Sequence, residues 1–336
     1  MMPSRRRARG AIISRRTVIA LGAGTMLGSP FAAFAQPNAA PVIGLLDAAA
    51  STADRLAAFY DGLKAEGYIR NQTIAALYHS AAGDYSRLPA LAADLVKRQV
   101  TAIAAFGVPA ALAARDATTA IPVVFAIGPS PVEIGLVRSL DLPGGNITGV
   151  TALSAGRERK RLDFLHELIP ATKEIALLIN PADANAGTRI QEVVAAARTM
   201  SLRLRPIRAS AASEFDAAFD SLAASPPGGL VIADDEFFDS RAADLGFLAL
   251  RRRIPAIFQG RSFAAAGGLI SYGSNLGEIY HQVGAYAGLI LKGANAATLP
   301  IYQSVKVDFI VNARTAAFFG IPLPAAILSA ANEIMK

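Results

Sequence analysis

Apolar runs of strand length alternate with helical patterns along almost the whole chain after residue 40. Most of these runs are continuous rather than interrupted by polar residues, which is typical of parallel strands covered by helices on both faces. The pattern predicts strands at residues 42–46, 73–78, 100–106, 123–127, 146–150, 175–179, 204–207, 230–233, 256–259, 269–272 and 305–311. This order of strands and helices predicts an α/β fold.

The segments between the predicted strands carry apolar residues on one helical face. Leu56, Phe59, Tyr60 and Leu63 fall at i, i+3, i+4 and i+7, and Gly67 follows as a natural stop. The same kind of spacing recurs at Leu88, Leu91, Leu95 and Val96, at Phe215, Phe219 and Leu222, and at Leu276, Ile279, Val283 and Ile290. We interpret these stripes as core-facing, because one-sided burial is what such spacing ordinarily means.

The number of predicted strands indicates two doubly wound lobes rather than one. About ten strands exceed what one open sheet of typical size holds, and ~300 residues exceed what one core usually serves. A turn-rich joint at 143–156 separates the two sets of strands. We place the first lobe at 41–150 plus about 276–304, and the second at 157–272 plus about 310–336 and ending in a helix.

Residues 1–35 have the pattern of an export signal. A basic stretch precedes an apolar run at 17–27, and an Ala-Phe-Ala tripeptide ending at Ala35 provides a small-x-small cleavage pattern. The paired Arg15 and Arg16 before the apolar run resemble a twin-arginine signal. We therefore predict export to the periplasm and removal of the leader after Ala35.

Charge and cysteine content exclude several classes of function. The chain has 33 Lys and Arg against 26 Asp and Glu, a net charge of +7, but six of the cations lie in the acid-free leader, at Arg5, Arg6, Arg7, Arg9, Arg15 and Arg16. The remainder is nearly neutral and gives no electrostatic argument for a nucleic-acid partner. The chain contains no cysteine, which excludes disulfides, thiolate catalysis and Cys-ligated metals.

The motifs of common enzymes are missing. His79, His166 and His281 are far apart and lack metal-ligand spacing, so we expect no metal site. The sequence has no G-x-S-x-G elbow and no Walker A lysine loop, and we expect neither catalysis nor a cofactor.

Polar and turn-forming residues follow the predicted strands of both lobes. Open α/β sheets bind ligands at this edge, because helix N-termini and free amides converge there. The candidate ligand-binding residues are Asp47, Ser51, Gly107, Val108, Pro109, Gly128 and Ser130 in the first lobe, and Asn180, Asn185, Asp234, Asp235, Gln259 and Tyr272 in the second. A small molecule held between these two rims would be buried when the lobes close about a hinge.

Four stretches carry a family resemblance over nearly the whole chain after the leader. They are PVIGLL at 41–46, RLPALAADLV at 87–96, LPGGNITGV at 142–150 and FAAAGGLISYG at 263–273. In this order they resemble the extracytoplasmic solute-binding proteins of ABC transporters, in the branch of tryptophan/tyrosine-type binding proteins. The resemblance implies a type I periplasmic-binding-protein fold, with two Rossmann-like lobes, three crossover segments near 150–154, 273–276 and 304–309, and a ligand in the cleft.

Two departures from the family pattern bear on the ligand. Ser130 stands where relatives commonly have an acid, and Val108 stands where they have a small hydroxyl residue. Both changes remove partners for an ammonium group, so we do not infer from the family resemblance that the ligand is an aromatic amino acid. Asp47, Asp234 or Asp235 could meet an amine and Arg261 a carboxylate, which leaves an amino-acid-like molecule open.

The aromatic residues near the rims leave two readings open. Phe106, Tyr272 and Phe237 either stack on a ligand ring or simply pack in the core, and packing is favoured.

The leading functional hypothesis is a non-enzymatic receptor that closes on a small molecule and presents it to an ABC permease in the inner membrane. A monomer is the default expectation. One alternative is an enzyme on the same scaffold with Asp47, Asp234 or Asp235 as acid-base group. Another is a sensor subunit for a membrane signalling partner.

Overall fold

The computed structural model describes residues 40–153, 156–183 and 186–336. The predicted leader at 1–35 and the candidate residue Asn185 lie outside the described residues. In the described part of the chain, no helix combines the length and apolar character needed to cross a bilayer.

The first lobe is built on a six-stranded sheet whose strands are all parallel, in the order β11-β5-β4-β3-β1-β2. Its strands are β1 (Val42–Asp47), β2 (Ala75–Ser80), β3 (Ala102–Phe106), β4 (Val123–Ile127), β5 (Ile147–Thr151) and β11 (Tyr302–Gln303). The four interior strands β5, β4, β3 and β1 are buried along almost their whole length, as continuous apolar runs require.

The second lobe is built on a seven-stranded sheet in the order β13-β12-β10-β9-β8-β6-β7. Its strands are β6 (Glu174–Ile179), β7 (Arg203–Arg208), β8 (Gly229–Ile232), β9 (Ala256–Phe258), β10 (Ile270–Ser274), β12 (Val307–Asn312) and β13 (Glu333–Met335). All neighbours are parallel except β10 and β12, which pair antiparallel.

Helices cover both faces of each sheet. They are α1 (Ala53–Ala65), α2 (Leu88–Lys97), α3 (Val108–Ala117), α4 (Arg157–Leu168), α5 (Ala186–Thr199), α6 (Phe215–Ala224), α7 (Glu236–Ser240), α8 (Ala242–Arg251), α9 (Arg261–Ala265), α10 (Leu276–Leu291), α11 (Ala313–Phe319) and α12 (Ala325–Ala330). Each lobe has two apolar clusters, one on each face of its sheet. The α/β fold with two doubly wound, mainly parallel lobes is therefore confirmed.

Close packing of α1 against α10 ties the C-terminal part of the chain to the first lobe. A Cβ atom on Gly62 would lie 1.9 Å from the carbonyl oxygen of His281, and one on Gly284 would lie 2.0 Å from that of Phe59. Only glycine allows the two backbones to approach this closely. The packing places the first turn of α10 beside the carboxyl ends of the first-lobe strands.

The chain passes between the lobes three times: between β5 and α4, between β10 and α10, and between β11 and β12. Backbone hydrogen bonds join these crossovers. Ser304 N–H donates to the carbonyl of Thr151 (2.8 Å), and Asn275 N–H donates to that of Lys306 (3.1 Å). Because the crossovers are bonded side by side, they form one narrow hinge region.

The C-terminal segment differs from the sequence-based expectation. The predicted strand at 305–311 is observed as β12, but the single terminal helix is replaced by α11, α12 and strand β13. Strands β11 and β13 have two and three residues, and so short a segment shows no hydrophobic period.

Candidate functional site

A cavity of about 100 Å³ lies between the two lobes, at the carboxyl ends of the strands in both sheets. Among the described residues, six Asp, Glu and Arg side chains line it: Arg55, Arg189, Asp234, Asp235, Glu236 and Asp239. Apolar groups from the first lobe complete the wall. A pocket enclosed by two lobes with a few convergent polar groups is typical of a small-molecule site.

Two stacked aromatic rings form part of the first-lobe wall. The rings of Phe106, at the end of β3, and Tyr280, in the first half of α10, lie 4.4 Å apart at an interplanar angle of 6°. Both side chains are buried, and both line the cavity. Leu276 and Ile279 reach the same wall from the first turn of α10, so the N-terminal end of the predicted apolar stripe of α10 contributes both to the core and to the cavity wall.

Asp47 at the end of β1 does not line the cavity but helps to hold this wall in position through hydrogen bonds. Its carboxylate accepts hydrogen bonds from the Ser51 backbone N–H (2.9 Å) and the Tyr78 hydroxyl (2.8 Å). Ser51 Oγ in turn lies 2.6 Å from the hydroxyl of Tyr280. Burial raises the pKa of Asp47, and burial together with the Asp47 charge raises the pKa of Tyr78 to about 12. Asp47 therefore positions Tyr280 through Ser51.

The second-lobe wall comes from one short segment after β8. Asp234 and Asp235 end the loop, Glu236 begins α7, and Asp239 lies one turn further on. The Asp235 carboxylate is the N-cap of α7 and accepts a hydrogen bond from the Phe238 N–H (3.0 Å). The end of this loop and the first turn of α7 thus place four carboxylates at the cleft within six residues.

Buried arginines neutralise part of this acidic segment. The guanidinium of Arg161 is fully buried and lies 2.6 Å from the Asp234 carboxylate. Arg189 pairs with Glu158 at 2.9 Å and with Asp183 at 3.0 Å. These three acids therefore share two arginine partners inside the second lobe.

Asp235 and Glu236 are held by neutral donors. Asp235 accepts hydrogen bonds from Asn180 Nδ2 (3.1 Å) and from the hydroxyl of Tyr85 (3.0 Å). Glu236 Oε1 accepts the backbone N–H of Val108 (3.2 Å). Burial raises the pKa of both carboxyls, and burial with the neighbouring Asp235 charge raises that of Glu236 to about 7.

Contacts across the cleft hold the lobes in a closed arrangement. The Arg55 guanidinium on α1 forms an ion pair with the Asp239 carboxylate on α7. The hydrogen bonds from Tyr85 to Asp235 and from Val108 to Glu236 also join first lobe to second. Each of these contacts would break when the lobes separate.

Arg157 at the start of α4 joins two of the crossovers. Its guanidinium donates to the carbonyl of Ala152 (2.6 Å) and to the hydroxyl of Ser274. Ala152 and Ser274 line the cavity, whereas Arg157 does not. Its role is to bind the hinge segments together beside the site.

The structure brings some candidate residues to the cavity and places others behind it. The cavity wall includes Gly107, Gly128, Asp234, Asp235 and Gln259. A supporting layer behind the wall comprises Asp47, Ser51, Val108 and Asn180. Ser51, Val108 and Asn180 form hydrogen bonds with wall residues, and Asp47 forms them with Ser51.

Four residues suggested for ligand contact lie elsewhere. The Tyr272 ring packs against Phe164, and the exposed Arg261 guanidinium binds Glu333 at 2.7 Å, so neither Tyr272 nor Arg261 lines the cavity. Pro109 is the second residue of α3, and Ser130 Oγ accepts the Glu133 N–H within a turn. Position along the chain after a strand does not show in which direction a side chain points.

Several wall residues were missed by the sequence analysis. Arg55, Arg189 and Tyr280 lie on helices, where a charged or aromatic residue gives no sign that it faces a cleft. Asp239 could have been found, since it stands at i+4 from Asp235 and would share its helical face. Of the rings left open between stacking and packing, Phe106 lines the cavity and Phe237 packs against Phe215.

Comparison with known families agrees with this architecture. The family model for ABC transporter substrate binding proteins matches residues 46–335. The chain belongs to this family, whose members are extracytoplasmic substrate-binding proteins, and its role is to bind a solute.

Individual relatives are similar at low identity. The chain is 26% identical over 258 residues to a tyrosine-binding protein of Clostridioides difficile, covering 76% of this chain and 74% of the relative. A conserved domain protein of Vibrio cholerae has a TM-score of 0.79 at 24% identity, covering 88% of this chain and all of the other. A Streptococcus pneumoniae domain in complex with L-Trp has a TM-score of 0.75 at 23% identity, with the same coverage.

Proposed function

We propose that this protein is the periplasmic substrate-binding component of an ABC importer, working as a monomer and without catalysis. It captures a small molecule in the cavity between the lobes and delivers it unchanged to a permease in the inner membrane. The observation that carries this proposal is the set of contacts that close the two lobes over a cavity lined by both of them, led by the Arg55–Asp239 ion pair.

The hinge supports capture by domain closure. Three crossovers bonded side by side allow the lobes to rotate about a narrow region while each apolar core stays intact. A ligand that contacts both walls adds its binding energy only when the lobes are closed, so it shifts the population toward the closed form. A permease can then distinguish loaded from empty protein by its shape.

The direct test is to identify the molecule that the protein carries. Residues 36–336 are purified from a bacterial periplasm, and the compound released on denaturation is identified by mass spectrometry. Adding the same compound back is expected to raise thermal stability, by about 2.7 kcal/mol at a hundredfold excess over its dissociation constant. Recovery of a chemically altered compound after incubation would indicate an enzyme and contradict the proposal.

Localisation and partner are tested in a Gram-negative host. When the full-length chain is expressed, its product is expected in the osmotic-shock fraction. The intact mass of that product is expected to match a chain that begins at Gln36. The closed, ligand-loaded protein is expected to co-purify with an inner-membrane permease, whereas co-purification with a membrane kinase instead would favour a sensor. Retention of the full-length chain in the cytoplasm would contradict the assigned location.

A further inference from the structure

The walls of the cavity carry more carboxylates than guanidinium groups. In the part of the chain that the structure describes, four acids and two arginines line it. Both arginines are already paired, Arg55 with Asp239 across the cleft and Arg189 with Glu158 and Asp183. Asp234 is paired with Arg161. Each of these groups therefore has at least one oppositely charged partner inside the protein.

Asp235 and Glu236 are the exception. Among the residues that the structure describes, no Lys, Arg or His lies within ion-pair distance of either carboxylate. Asp235 is 4% exposed, and its partners Asn180 and Tyr85 are neutral. Two adjacent carboxylates enclosed by protein need a counter-charge or a proton, because leaving ionised groups unpaired away from water is costly.

One position of the first lobe that could attract a ligand carboxylate is already filled. The N-terminus of a helix attracts anions, and in α3 the first backbone N–H, that of Val108, is bonded to Glu236. The next residue, Pro109, has no N–H to offer. Arg157, which has no carboxylate partner, donates to the hinge and does not line the cavity.

An aromatic surface completes the environment. The stacked pair of Phe106 and Tyr280 lines the same cavity as the two unpaired acids. Ring faces are negative and attract organic cations, and they also pack against apolar rings. Carboxylates together with aromatic faces form the kind of wall that binds an amine or a guanidine.

Building on the proposed function, we propose that the ligand is an organic cation, a protonated amine or guanidine on an apolar or aromatic body, that carries no carboxylate. Its charged group pairs with Asp235 and Glu236, and its body lies against Phe106 and Tyr280. Glu236 takes the Val108 N–H at the start of α3, which removes one donor that the carboxylate of an amino acid could use. The site thereby selects amines against the corresponding amino acids.

Matched ligand pairs test this selectivity on the mature protein, freed of bound compounds by unfolding and refolding. Dissociation constants are measured by calorimetry for tyramine and tyrosine, tryptamine and tryptophan, and agmatine and arginine. At least one amine is expected to bind ten or more times tighter than its amino acid. Tighter binding of the amino acid in each pair that binds, or binding of no compound in the panel, would overturn the inference.

Glu236 variants separate charge from shape. Glu236→Gln keeps an oxygen for the Val108 N–H but removes the negative charge, so amine affinity is expected to fall tenfold or more. Glu236→Ala frees the N-terminus of α3, and the preference for the amine over its amino acid is expected to shrink at least tenfold. Asp244→Asn, which changes an exposed acid at the start of α8, is the control and is expected to leave affinity within twofold.

The compound extracted from the protein separates this inference from the proposed function. A cation without a carboxylate supports both. A neutral or anionic compound, bound reversibly and released unchanged, leaves the binding role in place and overturns the inference about charge. Failure to carry or bind any small molecule would count against the proposed function itself.

Discussion

Glu236 of the second lobe accepts a hydrogen bond from the backbone N–H of Val108, the first residue of α3 in the first lobe, at 3.2 Å. A side chain of one lobe thus caps a helix of the other, directly beside the cavity. Closing the lobes satisfies a donor at the helix N-terminus and encloses a carboxylate in the same step. Closure and charge are therefore coupled at this contact.

The coupling predicts a specific pH dependence of stability. The pKa of Glu236 is about 7 in the closed protein, because burial and the charges of Asp235 and Asp183 outweigh the attraction of Arg189. Its unfolded value is 4.5, so between these two values the folded protein holds a proton that the unfolded chain has lost. Stability is expected to fall as pH rises through this window, by an amount on the order of 2–3 kcal/mol.

Urea unfolding at pH 5 and pH 8 measures this dependence in the native chain and in Glu236→Gln. Asp235 and Asp47 also have raised pKa values and contribute in the same direction, so the comparison of the two proteins isolates the Glu236 component. The native protein is expected to lose more stability than the variant between the two pH values. Equal losses would show that Glu236 is not protonated on folding.

The ion pair between Arg55 and Asp239 is predicted to stabilise the closed arrangement. Both side chains are largely buried, so Arg55→Met leaves the Asp239 charge without its partner at an expected cost of about 3 kcal/mol to the closed form. Small-angle scattering of the unliganded protein is expected to show a larger radius of gyration. The double variant with Asp239→Asn is expected to recover part of the closure, and no change in radius for Arg55→Met would rule out this role.

Arg161 is predicted to be essential for the stability of the second lobe. Its guanidinium is fully buried against Asp234. Arg161→Met leaves that carboxylate without a cationic partner, which is expected to lower the free energy of unfolding by about 3–5 kcal/mol. The control is Arg203→Met, which removes an 80% exposed arginine from its pair with Glu174 and is expected to cost less than about 1 kcal/mol. Chemical denaturation measures both, and similar losses would contradict the assignment.

The different surroundings of two helical glycines predict opposite effects on stability when each is replaced by alanine. Gly62→Ala places a methyl group against the His281 carbonyl and is expected to destabilise the protein by about 1–3 kcal/mol. Gly187→Ala, in an open position of helix α5, is expected to stabilise it by about 0.5–1 kcal/mol. Thermal unfolding of the two variants shows whether the signs differ as predicted.

Some residues of the site could be predicted from the sequence, and others could not. Asp234, Asp235, Gly107 and Gly128 could be found because they follow strands, and the ends of parallel strands meet at one edge of a sheet. Arg55 and Arg189 could not, because a charged residue in a helix is ordinarily solvated and only the opposing lobe or a buried acid shows otherwise.

Continuous apolar runs and one-sided helical stripes were enough to determine the class of fold, because backbone hydrogen bonding and burial leave few other ways to cover such strands. Tertiary structure alone decided which charges are paired, which lobe caps α3, and that Tyr272 faces the core while Tyr280 faces the cavity. Those outcomes depend on distances between residues far apart in the chain, and hydrophobic periodicity contains no information about such distances.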